Sequence, residues 1–198
     1  MLKKTRIFLV RHGQTEWNLQ KRFQGHKNSP LTIKGKKQAL EAKKSLSQYQ
    51  IHRAYVSPLK RAKDTIDIIL DGSSIEVIEK KSLKEINLGS WEGQTIEEME
   101  RSHPDEYIQF WNRQDEFFLP GAETYKQLQN RVITELKNIF KKEHNKNILV
   151  VSHWIAIKVA IAYYTSIPMN QLSSLTNLEN GKFFTLINEN GNVIIKNS

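Results

Sequence analysis

The sequence predicts an α/β protein, a three-layer α/β/α sandwich with a mainly parallel sheet and an antiparallel edge strand. Three observations predict this fold class. Short apolar runs alternate with helical patterns along most of the chain, an order typical of a parallel sheet covered by helices on both faces. The run at 147–151 indicates a fully buried strand. The tail holds two short β-like runs, 182–187 and 192–196, joined through Asn190-Gly191, a dipeptide that favours a hairpin.

The first half of the chain predicts strands and helices in alternation. Strands are predicted at 5–10, 53–56 and 75–78. Thr32 is predicted to cap the first helix. The apolar positions of that helix include Ala39, Leu40 and Leu46. Ser57-Pro58 predicts a second helix start, with the serine at the cap and the proline in the first turn, so Arg61 lies in the first turn of that helix.

The second half predicts three helical regions around the buried strand. Residues 94–113 predict one or two helices of an insertion, the second opened by Pro104. The segment 122–142 is the clearest helix, because its apolar residues recur at helical spacing. Those residues are Leu128, Val132, Leu136 and Ile139. Ser152 is predicted to cap a last helix that begins near His153.

Length and composition limit the possible classes of protein. A chain of 198 residues predicts one domain over 1–198, and 38% hydrophobic with 26% charged residues is typical of a globular protein. The absence of cysteine excludes disulfides and thiolate metal sites. The formal charge is +9, but the lysines are scattered and no aromatic residues interleave them in a stripe. We therefore expect no nucleic-acid partner, whereas a positive field would attract small anionic substrates.

The sequence gives no indication of a membrane protein. No apolar stretch approaches the roughly 20 residues that span a bilayer, so no membrane partner is expected. The apolar run behind the basic start is only four residues long before Arg11, too short for the core of a signal peptide. A cytoplasmic location is therefore expected. The oligomeric state stays open, since a sequence shows no interface.

The segment Arg11-His12-Gly13 follows the first predicted strand and is the most informative part of the chain. Open α/β sheets bind ligands at the carboxyl ends of their strands. There the guanidinium would neutralise and orient a phosphate, and a neutral imidazole can attack phosphorus. Arg61 and His153 also follow predicted strands, so we expect them at the same edge. Four potentially cationic groups close together need an anion, which a phosphate supplies.

Further short motifs follow in a fixed order. They are Gln24-Gly25-His26, Pro30-Leu31-Thr32, Ser57-Pro58-Leu59-Lys60-Arg61-Ala62, Leu83-Lys84-Glu85, Gly89-Ser90-Trp91-Glu92-Gly93 and Val151-Ser152-His153. Together with the Arg-His-Gly strand tip they resemble the histidine phosphatase superfamily, also called phosphoglycerate-mutase-like, over roughly residues 5–165. The resemblance implies the phosphoglycerate-mutase-like fold. It also implies a metal-independent phosphomonoester hydrolase that acts through a phosphohistidine on small phosphorylated metabolites, without a cofactor.

The resemblance assigns roles to the strand-tip residues. His12 would be the nucleophile, with its tautomer fixed by a backbone carbonyl near Gly13. Arg11 and Arg61 would clamp the phosphate oxygens, and His153 would be a further phosphate ligand at a helix start. No spacing typical of metal ligands occurs in the chain, so the charge of these side chains would do the work of a metal ion.

The remaining site residues are also implied by the resemblance. Glu85 would be the acid and base that protonates the leaving alkoxide and then activates water, which requires a pKa near the working pH and therefore partial burial. Glu92 is a less favoured rival for this role. Asn18 and Gln24 would donate amide hydrogens to the phosphate, and Gly25 would let the backbone approach it. A plain role in loop structure is the alternative for these last three.

The chain departs from the family pattern at a few positions. Trp154 stands where the family usually has glycine, and the indole could point into the core or narrow the pocket and stack on a substrate. Asn28 stands where aspartate is common, which we expect to affect loop packing. Glu123 is expected to anchor a helix start. Substrate shape therefore transfers from the family less readily than catalysis.

Two alternative functions stay open. One is a cofactor-dependent phosphoglycerate mutase, but such mutases are longer and carry an Arg-His-Tyr-Gly run where residues 85–93 read Glu-Ile-Asn-Leu-Gly-Ser-Trp-Glu-Gly. The other is a non-catalytic phosphate-binding protein, against which the retained nucleophile, clamp and acid argue. The insertion at about 94–121 is expected to form part of a pocket lid. The insertion contains Phe110, Trp111, Phe117 and Phe118. These aromatic residues could line the pocket mouth, but we favour the alternative that they form a small core of their own.

Overall fold

The computed structural model describes residues 4–189 and 191–197, and six strands form its single sheet. The strands are β1 (Thr5–Arg11), β2 (Arg53–Val56), β3 (Val77–Glu79), β4 (Asn147–Ser152), β5 (Phe183–Glu189) and β6 (Asn192–Asn197). Their order across the sheet is β3-β2-β4-β1-β5-β6. The first four run parallel, β5 is antiparallel to β1, and β6 is antiparallel to β5. The predicted fold class is confirmed, with an edge hairpin of two strands.

Within the described residues, seven α-helices and three short 3-10 helices connect and cover the strands. The α-helices are α1 (Glu16–Leu19), α2 (Ile33–Leu46), α3 (Lys60–Leu70), α4 (Ile96–Ser102), α5 (Pro104–Asn112), α6 (Tyr125–Lys142) and α7 (Trp154–Tyr164). The 3-10 helices are Lys81–Leu83, Gly89–Trp91 and Met169–Ser174. Thr32 accepts the hydrogen bond that caps α2, and Pro104 occupies the first turn of α5, both as predicted.

One predicted helix start and one predicted helix cap were wrong, whereas α7 begins at Trp154, next to His153, as predicted. Helix α3 begins at Lys60, three residues after Ser57, and the Ser57 hydroxyl lies 2.7 Å from Nε2 of His153. Ser152 ends β4, and its hydroxyl donates to the carbonyl oxygen of Leu83 at 2.8 Å. Both serines bind partners far away in the sequence, so a local capping rule could not foresee their role.

The hydrophobic core lies on both faces of the sheet, as three layers require. Ile7 and Leu9 of β1 belong to a cluster with α6 and α7, whereas Phe8 and Val10 belong to a second cluster with α2 and α3. Leu40 was expected on the apolar face of α2 but is 54% exposed. The buried positions of α2 are Gly35, Ala39, Ala42 and Leu46.

Helices α4 and α5 lie beside the carboxyl edge of the sheet and pack against a cluster of aromatic side chains. Phe110 packs edge to face against Phe23, Trp91 and Phe117, whereas Phe118 is 66% exposed. At the other end of the chain, Gly191 has a φ of 95°, and Asn190 of the predicted hairpin turn lies outside the described residues. No described helix combines the length and apolar character that crossing a bilayer requires.

Candidate active site

The carboxyl ends of three adjacent strands bring the predicted residues together. Arg11 of β1 is level with Ser152 of β4, and Val151 of β4 is level with Val56 of β2. The residue after β1, His12, donates its backbone amide to Ser152 at 3.1 Å. Because parallel strands end at one edge, the register places Arg11, His12 and His153 side by side, with Arg61 entering from the first turn of α3.

His12 is buried and held in one tautomer. Its Nδ1 lies 2.7 Å from the carbonyl oxygen of Gly13, so Nδ1 carries the hydrogen. Its Nε2 accepts a hydrogen bond from Nε of Arg61 at 3.3 Å. Burial, followed by the charges of Arg61 and Arg11, lowers the pKa of His12 well below its ordinary value. The imidazole is therefore neutral, with its lone pair on Nε2, which is the state a nucleophile needs.

Arg61 is buried and its guanidinium is fixed by backbone carbonyls. Nη2 donates to Gly25 at 2.8 Å and Nη1 to Lys27 at 2.7 Å, with Asn28 Oδ1 at 3.4 Å. Burial lowers the pKa of Arg61 to about 10. These contacts show why this loop matters: the carbonyl oxygens of Gly25 and Lys27 hold the cation that lies against His12.

The Arg11 guanidinium is hydrogen-bonded to described residues through Nη1 but not through Nε. Its Nη1 donates to the carbonyl oxygen of Leu178 at 2.5 Å, with Asn177 Oδ1 at 3.4 Å. Its Nε is buried and has no hydrogen-bond partner among the described residues. Burial lowers the pKa of Arg11 to about 10, although the Glu85 charge opposes this. An unpaired buried donor at this position is what an incoming anion would satisfy.

His153 is fully buried beside His12, with the two ring centroids 5.1 Å apart. Its Nε2 is 2.7 Å from the Ser57 hydroxyl. Its Nδ1 has no hydrogen-bond partner in the described part of the chain. Burial and then the charge of Arg61 lower the pKa of His153 well below its usual range. The side chain is neutral and partly unsatisfied.

The four side chains form a buried cluster that no carboxylate of the described residues neutralises by an ion pair. Neither Arg11 nor Arg61 is in an ion pair with any described residue. Burial shifts every one of the four pKa values toward the neutral form. Buried cations without a partner are costly, so the site favours a bound anion. Its unpaired nitrogens suit phosphate oxygens, which accept charge-assisted hydrogen bonds.

Glu85 lines the same pocket and is held by three backbone amides. Its Oε1 accepts from Ile86 at 3.0 Å and Ala156 at 3.1 Å, and its Oε2 accepts from Ile155 at 3.2 Å. Burial raises the pKa of Glu85, although these amides and Arg61 oppose it. A carboxyl with a raised pKa can both donate and accept a proton.

The loop that carries Glu85 is anchored by Arg131 of α6. Its guanidinium donates to the carbonyl oxygens of Lys84 at 2.7 Å and Glu85 at 2.8 Å. It also binds both carboxylate oxygens of Glu123 at 2.6 and 2.7 Å. Glu123 therefore fixes this loop through Arg131, while Thr124 caps α6.

Glu92 is a structural acceptor. Its Oε1 accepts from the backbone amides of His26 at 2.7 Å and Leu88 at 3.2 Å, and it does not line the pocket. It also explains Gly25, because a Cβ there would lie 2.1 Å from Glu92 Oε1 and the φ of Gly25 is 49°. The glycine is needed for the packing of its loop on Glu92.

The predicted amide residues also line the pocket. Asn18 Oδ1 accepts from the Thr15 amide at 3.1 Å and from Asn180 Nδ2 at 3.4 Å, which turns its Nδ2 away from these donors. Gln24 Oε1 is 3.5 Å from the Ser29 hydroxyl. Neither side-chain NH₂ group donates a hydrogen bond to any residue within 4–189 and 191–197. They have donors to offer to a ligand.

The pocket has a volume of about 580 Å³ and extends from the strand tips to α5 and α7. Trp154 is half-buried in its wall, with Arg11 Cζ at 6.0 Å and Lys158 Nζ at 5.4 Å from its ring centroid. Phe110 and Trp111 line the pocket as well as packing in the core. The indole of Trp154 thus lines the pocket and also packs against the hydrophobic core.

Sequence reasoning missed four residues that build or line this site. They are Ser57, Arg131, Lys158 and Asn180. Asn180 donates to the carbonyl oxygen of His12 at 3.0 Å, and its place in a loop 168 residues away left no signal. Lys158 could have been found, because it lies one helical turn after Trp154. No group of three or more potential metal-ligating side chains occurs in the described ranges.

Comparison with known proteins gives the family. The model of histidine phosphatase superfamily branch 1 matches residues 7–196. Phosphoserine phosphatase 1 of Hydrogenobacter thermophilus is 29% identical over 192 residues, which are 96% of this chain and 90% of that protein. "Probable phosphoglycerate mutase GpmB" of Salmonella choleraesuis is 30% identical over 162 residues, which are 82% and 75% of the two chains.

The fold comparison agrees with the sequence comparison. The structure of Bacillus stearothermophilus YhfR superposes with a TM-score of 0.95 at 28% identity, covering 98% of this chain and 96% of that one. The chain therefore belongs to branch 1 of the histidine phosphatase superfamily and is a phosphatase of that superfamily.

Proposed function

We propose that the protein hydrolyses phosphomonoesters of small metabolites through a phosphohistidine at His12, without a metal ion. The observation that carries this proposal is the state of His12: a buried, neutral imidazole with its lone pair on Nε2, next to arginines that form no ion pair with any described residue. Phosphoryl transfer asks a protein mainly for positioning and charge stabilisation. The cluster offers both.

In the first step, the lone pair on His12 Nε2 attacks phosphorus as the bond to the ester oxygen breaks. Arg11, Arg61 and His153 hold the phosphoryl oxygens, and the amides of Asn18 and Gln24 add donors. Protonated Glu85 gives its proton to the leaving alkoxide, so an alcohol departs. The Nδ1 hydrogen bond to Gly13 stabilises the positive charge that develops on the ring.

In the second step, a water molecule takes the place of the alcohol. Carboxylate Glu85 removes a proton from that water as its oxygen attacks phosphorus. The bond between phosphorus and His12 Nε2 breaks, which releases inorganic phosphate and restores the neutral imidazole and the protonated carboxyl. The raised pKa of Glu85 supports both roles, because the group must change its protonation state twice in a turnover.

Phosphatase and mutase differ in what accepts the phosphoryl group, water or a second hydroxyl of the substrate. The aromatic pair Phe110 and Trp111 lines the pocket, which supports the proposal that the 94–121 insertion forms part of its lid. Arg113 of that insertion pairs with Glu116. Neither Arg113 nor Arg101 lines the pocket, so the insertion supplies no cation for a second phosphate, which favours the phosphatase.

The test is hydrolysis of a panel of phosphomonoesters with EDTA present. Phosphoserine and 3-phosphoglycerate follow from the names of the relatives, and p-nitrophenyl phosphate is a generic probe. The His12→Ala variant should release no phosphate, whereas His144→Ala, which removes an exposed histidine, should equal the wild type.

The same assays separate the alternatives. Isomerisation of 3-phosphoglycerate only after addition of 2,3-bisphosphoglycerate, without hydrolysis of any ester, would establish the mutase. Binding of phosphate without turnover in either assay would favour a non-catalytic protein or a narrow substrate outside the panel. Activity lost with EDTA and restored by a divalent metal would contradict the metal-independent mechanism. The cytoplasmic location and the absence of nucleic-acid partners stay predictions.

A further inference from the structure

The pocket lining includes two cationic side chains outside the phosphate cluster, Arg22 and Lys158. Lys158 of α7 lines the pocket and is half-buried. Its Nζ lies 5.4 Å from the ring centroid of Trp154. Burial lowers the pKa of Lys158, and no described charge opposes this shift. A half-buried ammonium group is therefore held against the pocket wall without a counter-ion among the described residues.

The other pocket cations are bound to the protein. Arg22 donates to the carbonyl oxygen of Gly93 at 2.8 Å, Arg61 to those of Gly25 and Lys27, and Arg11 to that of Leu178. Lys158 makes no hydrogen bond or ion pair within the described residues. Of the pocket cations described, it is the one with all of its donors available to a ligand.

Trp154 connects this lysine to the phosphate site. The same indole ring has Arg11 Cζ at 6.0 Å and Lys158 Nζ at 5.4 Å. A substrate with its phosphate on Arg11 would extend across the indole toward Lys158. The loop after Met169–Ser174 adds Thr176 and Asn177 to the same pocket, so the surroundings of the ammonium group include polar side chains.

We propose that Lys158 and Trp154 form a subsite for a second anionic group, and that the preferred substrates are phosphomonoesters that also carry a carboxylate. The inference rests on the proposed function, since it names the substrate class of that site. The ammonium group binds the carboxylate by a charge-assisted hydrogen bond, while the indole packs on the carbon atoms between the two anionic groups and holds the lysine by a cation–π contact. Glycine at position 154 would leave Lys158 without this support.

Binding measured without turnover separates this proposal from the catalytic one. In the His12→Ala background, calorimetry gives the Kd of 3-phosphoglycerate and of glycerol 3-phosphate, which differ in one carboxylate. We expect 3-phosphoglycerate to bind at least about 10-fold more tightly. Lys158→Met should weaken 3-phosphoglycerate by about 10- to 100-fold and leave glycerol 3-phosphate within about twofold, so the preference disappears.

Controls exclude a general effect of charge or folding. Lys36→Met changes the net charge equally at an exposed lysine of α2 and should keep the preference, and Lys158→Arg should restore most of it. Equal affinities for the two ligands, a preference that persists in Lys158→Met, or no binding of either ligand would each overturn the proposal. If the carboxylate preference holds in these binding data but the wild type hydrolyses no ester, the proposed reaction fails while the subsite stands.

Discussion

Buried charged groups occur at both ends of the sheet, but only at the amino end are these charges paired with other side chains of the described residues. At the amino end, the fully buried Glu143 carboxylate accepts hydrogen bonds from Arg53 at 2.9 Å, Tyr55 at 2.8 Å and Lys146 at 2.8 Å. Burial alone would raise the pKa of Glu143, yet the hydrogen bonds from Lys146, Tyr55 and Arg53 outweigh it and lower the pKa to about 2. The protein itself provides every partner.

At the carboxyl end, the pKa shifts run the other way. The pKa values of His12, His153, Arg11 and Arg61 are all shifted toward the neutral forms. Burial is the largest cause at each group; the charge of Glu85 opposes it only in part at the arginines, and the charge of Arg61 adds to it at the histidines. The direction of the pKa shift therefore separates the two clusters. A cluster whose charges are stabilised supports the fold, whereas one whose charges are destabilised is built to be completed by a ligand.

Replacing the nucleophile should give the largest effect. His12→Ala removes the atom that bonds to phosphorus, so we expect kcat/KM to fall by at least about 10⁴-fold. Circular dichroism should show a folded variant. If the variant kept a tenth of the wild-type kcat/KM, His12 would not be the nucleophile.

Changing the clamp should give the next largest effect. Arg61→Lys keeps the charge but loses the fork that binds Gly25 and Lys27 and reaches His12. Loss of such a stabilising donor costs about 2.7–4 kcal/mol, or about 10²–10³ in kcat. Steady-state kinetics on p-nitrophenyl phosphate would measure it. A loss below tenfold would mean that Arg61 only shapes its loop.

The amino-end cluster should affect stability instead of activity. Glu143→Gln removes charge-assisted hydrogen bonds and should lower the free energy of unfolding by about 1.5–3 kcal/mol, measured by urea titration at pH 7, with kcat unchanged. Since the folded-state pKa of about 2 lies below the ordinary 4.5, this stabilisation is present above pH 4.5 and is lost as the pH falls toward 2. A fall in kcat at full folding would contradict the division between the two ends.

A ligand should stabilise only the incomplete end. At ten times its Kd, inorganic phosphate should add about 1.4 kcal/mol to the free energy of unfolding, compared with chloride at equal ionic strength. Glu143→Gln should gain the same increment, because its cluster binds no phosphate. Arg61→Lys should gain much less. Equal increments in all three proteins would show that phosphate acts on the surface and not in the pocket.

The local patterns of the sequence were sufficient for most of the fold. Helix α6 has apolar side chains at helical spacing, and the strands β1 and β4 are continuous apolar runs, so their burial follows from composition. Leu40 shows the limit: the exposed leucine lies one position beyond Ala39 on α2, and small residues on the buried face weaken the pattern.

The site could be predicted as a set of residues but not as a geometry. The strand tips Arg11, His12 and His153 meet because parallel strands share an edge, which a sequence can predict. The Ser57 contact with His153 and the Arg131 contact with the Glu85 loop join segments far apart in the chain. Such contacts depend on the packed fold, so no local pattern contains them.

The most direct test of the account is to trap the phosphoenzyme. The enzyme is mixed for milliseconds with an ester that it hydrolyses, and the reaction is quenched in alkali. Peptide mapping by mass spectrometry then locates a covalent phosphoryl group. The account predicts one acid-labile phosphoryl group on the peptide that contains His12, and none in His12→Ala. Two results would contradict the account: a burst of product with no phosphoenzyme detected, or a phosphoryl group on a residue other than His12.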